Sequence, residues 1–407
     1  MGIRATLLEE WGRRNGGDAP PIENPIRLGV AGLGSRALGC LHNAVRYDDY
    51  APVAACDIRP ALAERARARF HEEYGVDLHT YTDFDEMLAK EELDAVAVHV
   101  DADKQAPLIC RALDAGLHVM AEVPLAYTIA DCERIVRSVE QSGKVFLLME
   151  QTRFWGFIRA WHTIVQSGVI GTPIYVEGEY IGYYPDLFFQ DDDGAFWRPE
   201  ETHTHPEAAP TWRQKQPPIC YLPHTLSPLL YVLEDRVERV VGMSTRAQGY
   251  RHPEIRTPDI QVALMHTEKD AVMKVAAGFT TPVIHRGGTS HHWYHIKGSE
   301  GAVEWSRAEW DKPKLWIEGW ETPEAIAMPW TRTWTGGPRR DEASGHGGSD
   351  FYVYAQFADA VLRGVPAELD VYKAVDTAAP AILAATSIAE GSMPQDVPDY
   401  RPKHTRR

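Results

Sequence analysis

The chain has 407 residues, enough for two domains with a sizeable core, and its 42 basic residues against 58 acidic ones give a formal net charge of −16. That balance disfavours nonspecific binding to nucleic acid or to an anionic membrane, and no apolar run approaches the length of a membrane span. The five cysteines, Cys40, Cys56, Cys110, Cys132 and Cys220, are odd in number and scattered, which fits neither a disulfide framework nor a zinc site. Residues 1–25 read as an arm: Leu7, Leu8 and Trp11 suit a short amphipathic helix, and Gly16, Gly17, Pro20, Pro21 and Pro25 then break the chain. It serves either as a flexible arm or as an oligomer contact. Arg13 and Arg14 are followed by NGGDAPP rather than an apolar core, so no cleaved export signal is expected and the cytoplasm is the expected compartment.

Residues 26–37, IRLGVAGLGSRA, join a short buried strand to a glycine turn. Gly32, Gly34 and Ala37 have the spacing of a dinucleotide fingerprint: a tight turn, close approach of a pyrophosphate, and packing of the next helix on the strand. Free amides at the helix start, around Ser35 and Arg36, suit phosphate oxygens. A helix over 38–47 and a strand over 53–56 lead to Asp57, 23 residues after Gly34. That is the separation expected of the carboxylate that receives the adenosine ribose hydroxyls, and it favours NAD over NADP, with Arg59 nearby keeping NADP open. Helices over 61–74, 83–89, 105–115 and 131–142 then alternate with strands over 94–100, 118–121 and 145–149, the pattern of a mostly parallel sheet covered on both faces. Strand ends place Asp101, Asp103 and Glu122 as site candidates ahead of the many surface acids.

With HVMAEVPLA at 118–126 added to the fingerprint and Asp57, the chain resembles the glucose–fructose oxidoreductase/inositol dehydrogenase (Gfo/Idh/MocA) family over roughly 26–398. The resemblance implies an N-terminal Rossmann-type parallel sheet followed by a C-terminal α+β domain. Expected domains are the arm at 1–25, a dinucleotide-binding domain at 26–150, a substrate and oligomerisation domain at 151–365, and terminal helices with a tail at 366–407 packing back toward the cofactor domain. It also implies cofactor contacts at Asp101, Gln105, Glu122 and Pro124, the proline shaping the nicotinamide pocket. The chain departs from the family pattern at two of these places. Val123 stands where the family carries a lysine that handles the substrate hydroxyl proton, and Gln105 stands where many members carry histidine.

The second half changes character: 11 of the 12 tryptophans lie at Trp155 or later. Strands are predicted over 174–182, 237–245, 261–266, 272–278 and 293–298, with shorter ones at 302–305 and 315–317, forming an open, largely antiparallel sheet that carries a substrate surface and an oligomer interface. Residues 188–218 read as a long loop over a site or at an interface. In it Trp197 and Trp212 suit the apolar faces of sugar rings, and Arg198 and Arg213 suit hydroxyls or a carboxylate, with simple loop packing as the equal alternative. His203 and His205 form a His-x-His pair beside Asp191, Asp192 and Asp193, but no third ligand is fixed by spacing and no metal is expected. In CYLPHTLSPLLYVL, 220–233, His224 opens an apolar helix. The segment is similar to the family stretch whose histidine sits beside the nicotinamide and the reacting carbon, with Cys220 in place of the usual aspartate.

Near the end, 343–364 carries His-Gly-Gly before a helix that starts at Ser349 and Asp350, similar to NAD-dependent glycosidases of the family, including α-N-acetylgalactosaminidase-like members. That resemblance implies a carbohydrate-active enzyme with NAD bound tightly and recycled: transient oxidation at sugar C3, proton loss at C2, departure of the C1 leaving group, addition of water and return of hydride. It places His224 at the C3 hydroxyl, Tyr183 as the C2 base with Tyr184 and Tyr221 as rivals, and Tyr184, Trp197, Arg213 and His346 against the substrate. A tyrosine base needs strong local activation at neutral pH. The expected partners are a carbohydrate or glycoside and further copies of the chain, as a homodimer or homotetramer. Two alternatives stay open: an NAD(P)-dependent sugar or polyol dehydrogenase without glycosidic cleavage, and a non-catalytic sugar-sensing or protein-interaction member of the fold.

Overall fold

The computed structural model describes residues 24–282, 291–320, 324–333 and 344–402. The expected arm lies outside them, apart from its last two residues, and so does the end of the tail. The chain forms two compact units: one holds the chain up to Ala126, Ala130–Gln151 and Arg332–Ala374, and the other holds Tyr127–Ile129, Thr152–Thr331 and the chain from Val375 onward.

The first unit alternates β1 (Ile26–Ala31), α1 (Ser35–Val45), β2 (Tyr50–Cys56), α2 (Pro60–Tyr74), β3 (His79–Tyr81), α3 (Phe84–Lys90), β4 (Ala95–Val98), α4 (Ala102–Asp114), β5 (His118–Ala121), α5 (Ile129–Ser142) and β6 (Phe146–Leu148). The six strands are all parallel in the order β3-β2-β1-β4-β5-β6, a Rossmann sheet whose topological switch lies between β1 and β4. Central strands such as AVAV at β4 are wholly buried, as expected of strands covered on both faces. Local signals set the helix ends. Pro60 opens α2, Gly75 closes it in the left-handed conformation, and the Asp83 side chain accepts the Glu86 amide at 2.8 Å to cap α3.

The chain rejoins this unit through Arg332–Ala374, earlier than the expected 366–407. The reason is packing. Helix α8 (Ser349–Arg363) is buried along almost its whole length, sets Phe351 edge-on to Tyr47 at 5.2 Å, and follows Ser344, whose carbonyl accepts from Asn43 Nδ2 at 3.0 Å.

The second unit is built on a nine-stranded mixed sheet. It contains α6 (Gly156–Gln166), β7 (Pro173–Ile181), β8 (Phe189–Gln190), β9 (Phe196–Trp197), β10 (Ala209–Pro210), α7 (Pro223–Leu233), β11 (Val237–Ser244), β12 (Gln261–Thr267), β13 (Val272–Gly278), β14 (His292–Gly298), β15 (Gly301–Glu304), β16 (Lys314–Ile317), β17 (Ile326–Ala327), most of α9 (Val371–Ala389), and β18 (Gln395–Asp396). The strand order is β17-β16-β15-β14-β7-β13-β12-β11-β18, with the β7–β13 pair parallel and the other pairs antiparallel. Strands β8, β9 and β10 form a small separate sheet, so the stretch expected as a long loop carries structure of its own. Helix α7 lies close on β7 because Gly178 has no side chain: a Cβ there would sit 2.3 Å from Thr225 and 2.9 Å from Leu229. That approach fixes the start of α7, where His224 sits.

Candidate active site

In the first unit the glycine turn has the geometry its sequence requires. Gly32 has φ +88°, and a Cβ on it would lie 2.4 Å from the His99 carbonyl oxygen, so only glycine fits. At Gly34, by contrast, a Cβ would meet nothing within 4 Å: the backbone there faces open ground beside the α1 N-terminus, room that a pyrophosphate needs. The Asp57 carboxylate faces this turn, accepting the Leu33 amide at 2.7 Å on Oδ2 and the Arg59 amide at 2.9 Å on Oδ1, with Arg59 Nε at 3.7 Å. The open ground at Gly34 and the Asp57 carboxylate held against the same turn are features that a dinucleotide cofactor would fit. Asp101 precedes α4, with Lys104 Nζ 4.0 Å from its carboxylate.

Three other expected cofactor residues are engaged by the protein itself. The Arg36 guanidinium donates to Asp350 through both terminal nitrogens (2.9 and 3.2 Å) and to Glu122 Oε2 through Nε (3.0 Å). Glu122 also accepts its neighbour's amide, Val123 N, at 3.1 Å. Its Oε2 lies 3.2 Å from Nδ1 of the buried His99, close enough for charge attraction though not aligned as a hydrogen bond. Gln105 is buried and donates from Nε2 to the carbonyls of Glu122 (3.0 Å) and Pro124 (2.7 Å), pinning the turn around the cis Val123–Pro124 peptide. His346, expected against substrate, instead reaches both oxygens of Asp350 at 3.1 and 3.0 Å.

The result is one charge chain, His99–Glu122–Arg36–Asp350–His346, and the pKa shifts follow it. Burial works against the Glu122 anion, but Arg36 and His99 hold it well below the usual carboxylate range. Burial likewise opposes the His99 cation, yet Cys40 and Glu122 carry it up to about 9. Asp350 is held low against burial by Arg36 and His346. Asp350 and His99 carry no local motif, so sequence reasoning missed both; His99 was readable only as the residue after a buried strand.

In the second unit, His224 occupies the first turn of α7 and is 5% exposed. Its ring is ringed by aromatics: Tyr221 at 4.9 Å, Tyr180 edge-on at 5.6 Å and His292 edge-on at 6.1 Å. Tyr180 lies flat on His292 (4.1 Å, 13°) and packs against Tyr221 and Phe279. Burial pushes the Tyr180 phenol far above its ordinary range. Arg213 stacks over Trp212 (4.5 Å), Tyr221 (5.3 Å) and Phe279 (5.2 Å) beside a small pocket that these residues share with Tyr127. Its Nη1 is buried without a hydrogen-bond partner among the described residues. Tyr221, His224 and Arg213 are therefore brought together, with Tyr184 nearby against Phe279 and His291.

Other expected residues are occupied elsewhere. The Tyr183 hydroxyl pairs with His252 Nε2 at 2.8 Å, and His252 Nδ1 lies 3.7 Å from Glu200. Trp197 stacks on His205 at 3.5 Å and donates to Asp191 at 2.9 Å, tying up its own loop. His205 also contacts Glu207 at 2.9 Å, and among the described residues no group of three or more His, Cys, Asp or Glu side chains could hold a metal. Cys220 is buried, and burial pushes its thiol up to about 12, so it supplies no base at neutral pH. Val123, at the other departed position, is buried and has nothing to titrate.

Comparison with known proteins finds a match for each half of the chain. The description "Oxidoreductase family, NAD-binding Rossmann fold" matches residues 26–150, and "Glycosyl hydrolase 109, C-terminal domain" matches residues 160–405. The chain belongs to glycosyl hydrolase family 109. Similar members are glycosyl hydrolase family 109 protein 2 of Akkermansia muciniphila, 26% identical across 95% of this chain and 85% of that protein, and a protein of the same name from Phocaeicola vulgatus, 24% identical across 92% and 94%. Among solved structures, an Agrobacterium radiobacter oxidoreductase in complex with NAD+, L-tartaric acid and magnesium has a TM-score of 0.71 at 17% identity, covering 92% of this chain and 98% of its own. An inositol dehydrogenase homolog of Azotobacter vinelandii, complexed with NADH and myo-inositol, has a TM-score of 0.69 at 20% identity, covering 93% and 99%. This family 109 chain thus joins an NAD-binding Rossmann domain to a glycosidase-type domain, the architecture of NAD-assisted catalysis on carbohydrates. Among its described residues no helix is long and apolar enough to cross a membrane.

Proposed function

We propose that the chain hydrolyses a glycoside through transient oxidation of the sugar at C3, with NAD retained and recycled rather than consumed. The observation that carries this reading is the match to a family 109 domain in a chain whose two usual dehydrogenase positions, Val123 in the first unit and Cys220 beside the His224 cluster in the second, lack a usable base. When bound, NAD supplies a hydride acceptor that later returns the hydride. The chain's own residues do the rest. Gly32, Gly34 and Ser35 hold the pyrophosphate, and Asp57 takes the ribose hydroxyls and disfavours the extra phosphate of NADP. Asp101, Gln105, Glu122 and Pro124 shape the nicotinamide end. Arg36 and His346 act through Asp350 and Glu122, as positioning residues.

On the sugar, His224 moves the C3 hydroxyl proton and Tyr221 hydrogen bonds beside it. Arg213, with a buried donor that has no partner among the described residues, anchors a sugar oxygen. Tyr180 takes the ring-packing place expected of Trp197, and Tyr184 borders the same cluster. The domain division we adopt is that of the two compact units, with 332–374 serving the cofactor unit.

We further assign self-association to the solvent face of the nine-stranded sheet. Trp316, Val272, Leu264 and Met243 share that face by register and are exposed. Leu264→Lys is expected to shift the species seen by sedimentation velocity to the monomer, and an unchanged distribution removes the assignment. Five free, buried thiols suit a reducing compartment and hence the cytoplasm.

The test of function mixes holoenzyme with aryl glycosides of different sugars and follows aglycone and NADH together. Aglycone release without net NADH supports hydrolysis; stoichiometric NADH without aglycone supports the dehydrogenase alternative.

A further inference from the structure

We propose that Thr152 and Tyr294 are positioning residues for His224: they hold a backbone carbonyl that Pro228 deprives of its helical donor, and so set where the imidazole points. The proposal rests on the glycosidase reading above, which gives His224 the C3 hydroxyl proton. The contacts themselves lie wholly within the second unit.

The sequence supplies the starting point. Helix α7 runs Pro223–Leu233 with Pro228 in its interior. In an α-helix each N–H is given to the carbonyl four residues earlier, and proline has no N–H to give. Four residues before Pro228 stands His224. Its carbonyl loses the donor that a regular helix provides, and the proline ring crowds that same carbonyl. His224 is 5% exposed, so solvent is a poor substitute, and a buried carbonyl left without a donor is costly.

Two buried side chains from other elements supply the missing donors. The Tyr294 hydroxyl, on β14, donates to the His224 carbonyl at 3.0 Å. Thr152 Oγ1, on the short 3-10 turn Thr152–Phe154, donates to it at 2.9 Å. A carbonyl oxygen has two lone pairs, and these two hydroxyls match them. Arg153, next on the same turn and also buried, donates from Nη1 to the Ser227 carbonyl at 3.3 Å. The turn of α7 before the proline is therefore held from outside the helix.

Strand register explains the reach of Tyr294. It stands opposite Gly178, the residue whose missing side chain lets α7 lie close on β7. Two residues along, the same strand pair sets His292 opposite Tyr180, part of the ring wall around His224. The carbonyl and the imidazole of His224 share one Cα, so turning the peptide swings the ring within that wall. Proline thus transfers control of the His224 peptide from the helix to β14 and the 3-10 turn.

Steady-state kinetics of the full-length holoenzyme with an aryl glycoside, well below the melting temperature of each variant, test this. Thr152→Val and Tyr294→Phe remove one hydroxyl each with little change of shape. Each is expected to lower kcat about tenfold and the double variant about 100-fold, with KM within about threefold, the scale of a misplaced reacting group. Pro228→Ala gives the His224 carbonyl its N–H back, and adding it to the double variant is expected to recover at least tenfold in kcat. Tyr294→Phe also loses the contact of its hydroxyl with His292 Nδ1 at 3.2 Å, which Pro228→Ala does not restore, so the recovery isolates the carbonyl. Each single variant with and without Pro228→Ala gives the same comparison with one bond intact. The 15N shifts of the His224 imidazole read the hold without turnover: they are expected to move in the variants and to return with Pro228→Ala. A role in stability alone lowers the melting temperature and leaves kcat per folded enzyme unchanged. Variants within threefold of wild-type kcat, no recovery with Pro228→Ala, or unmoved His224 shifts overturn the proposal. Failure of the wild type to release aglycone overturns the glycosidase reading instead, and the His224 shifts then decide the positioning role.

Discussion

The two units use polar side chains in opposite ways. In the Rossmann unit, Arg36, Glu122, Asp350, His99 and His346 are spent on one another, with Glu122 and Asp350 held below the usual carboxylate range and His99 carried up to about 9. In the mixed-sheet unit, His224 and His292 sit among neutral rings, with contacts made largely by faces and edges. Fixed charges suit a scaffold that must hold a cofactor turn still, because breaking one leaves a buried partner unpaired. Ring faces and edges suit a surface that packs against the apolar face of a sugar. The contrast explains how a chain with several familiar dehydrogenase positions altered can still keep a complete cofactor fold.

The contrast is broken most severely by replacing His224. His224→Gln is expected to reduce kcat by about 1,000-fold while leaving NAD affinity within about threefold, since it removes a proton-transfer group and no cofactor contact. Steady-state kinetics and NAD titration check the split; a loss confined to NAD affinity contradicts it. In the other unit, Asp350→Asn should act on stability first. Losing one partner of a buried charge cluster is expected to cost about 3 kcal/mol, read as a lower urea midpoint with little change of slope.

The same chain of charges predicts a pH dependence. The folded state raises His99 from its ordinary value to about 9, so this contribution is full below pH about 6.5 and is lost as pH rises to about 9, a change of roughly 3 kcal/mol. Glu122 is shifted the other way: its contribution is present above the ordinary carboxylate value of about 4.3 and disappears as the pH falls through its depressed folded value. Urea melts from pH 6 to 9.5 on wild type and His99→Gln test this, with the variant expected to show the flatter profile. A smaller effect is expected at Asp57, where Asp57→Ala should shift the NAD-to-NADP affinity ratio by about tenfold toward NADP, the size of one lost charge contact. Smallest of all, Tyr183→Phe should change kcat by less than about threefold, because its hydroxyl serves His252; a hundredfold loss would restore Tyr183 as the base.

Sequence patterns made the cofactor half largely legible, because its signals are local. The spacing of Gly32 and Gly34, the strand end at Asp57 and the alternation of strands with helices each survive in a linear reading. What could not be read was the use of Arg36: its partner Asp350 lies 314 residues away, and only the fold of α8 onto the first unit brings the two together. In the second unit the start of α7 and His224 were legible as an apolar helix with a histidine at its mouth. Tyr180 was missed, although alternation along β7 puts it in phase with the buried Val176 and Gly178. His292 was missed because the strand was expected to begin one residue later, at 293, which left the histidine off the inward face. Both depend on the β7–β14 register, a long-range pairing that no local pattern specifies.

The central claim is that electrons borrowed from C3 return before the product leaves. Incubating the holoenzyme with an aryl glycoside in D2O, while following aglycone, NADH and deuterium at sugar C2 in one reaction, tests it most directly. The account predicts aglycone release, deuterium at C2 of the freed sugar, and no accumulation of NADH beyond one equivalent of enzyme. Aglycone released with only hydrogen at C2, or NADH formed in step with a keto-sugar product, would contradict it.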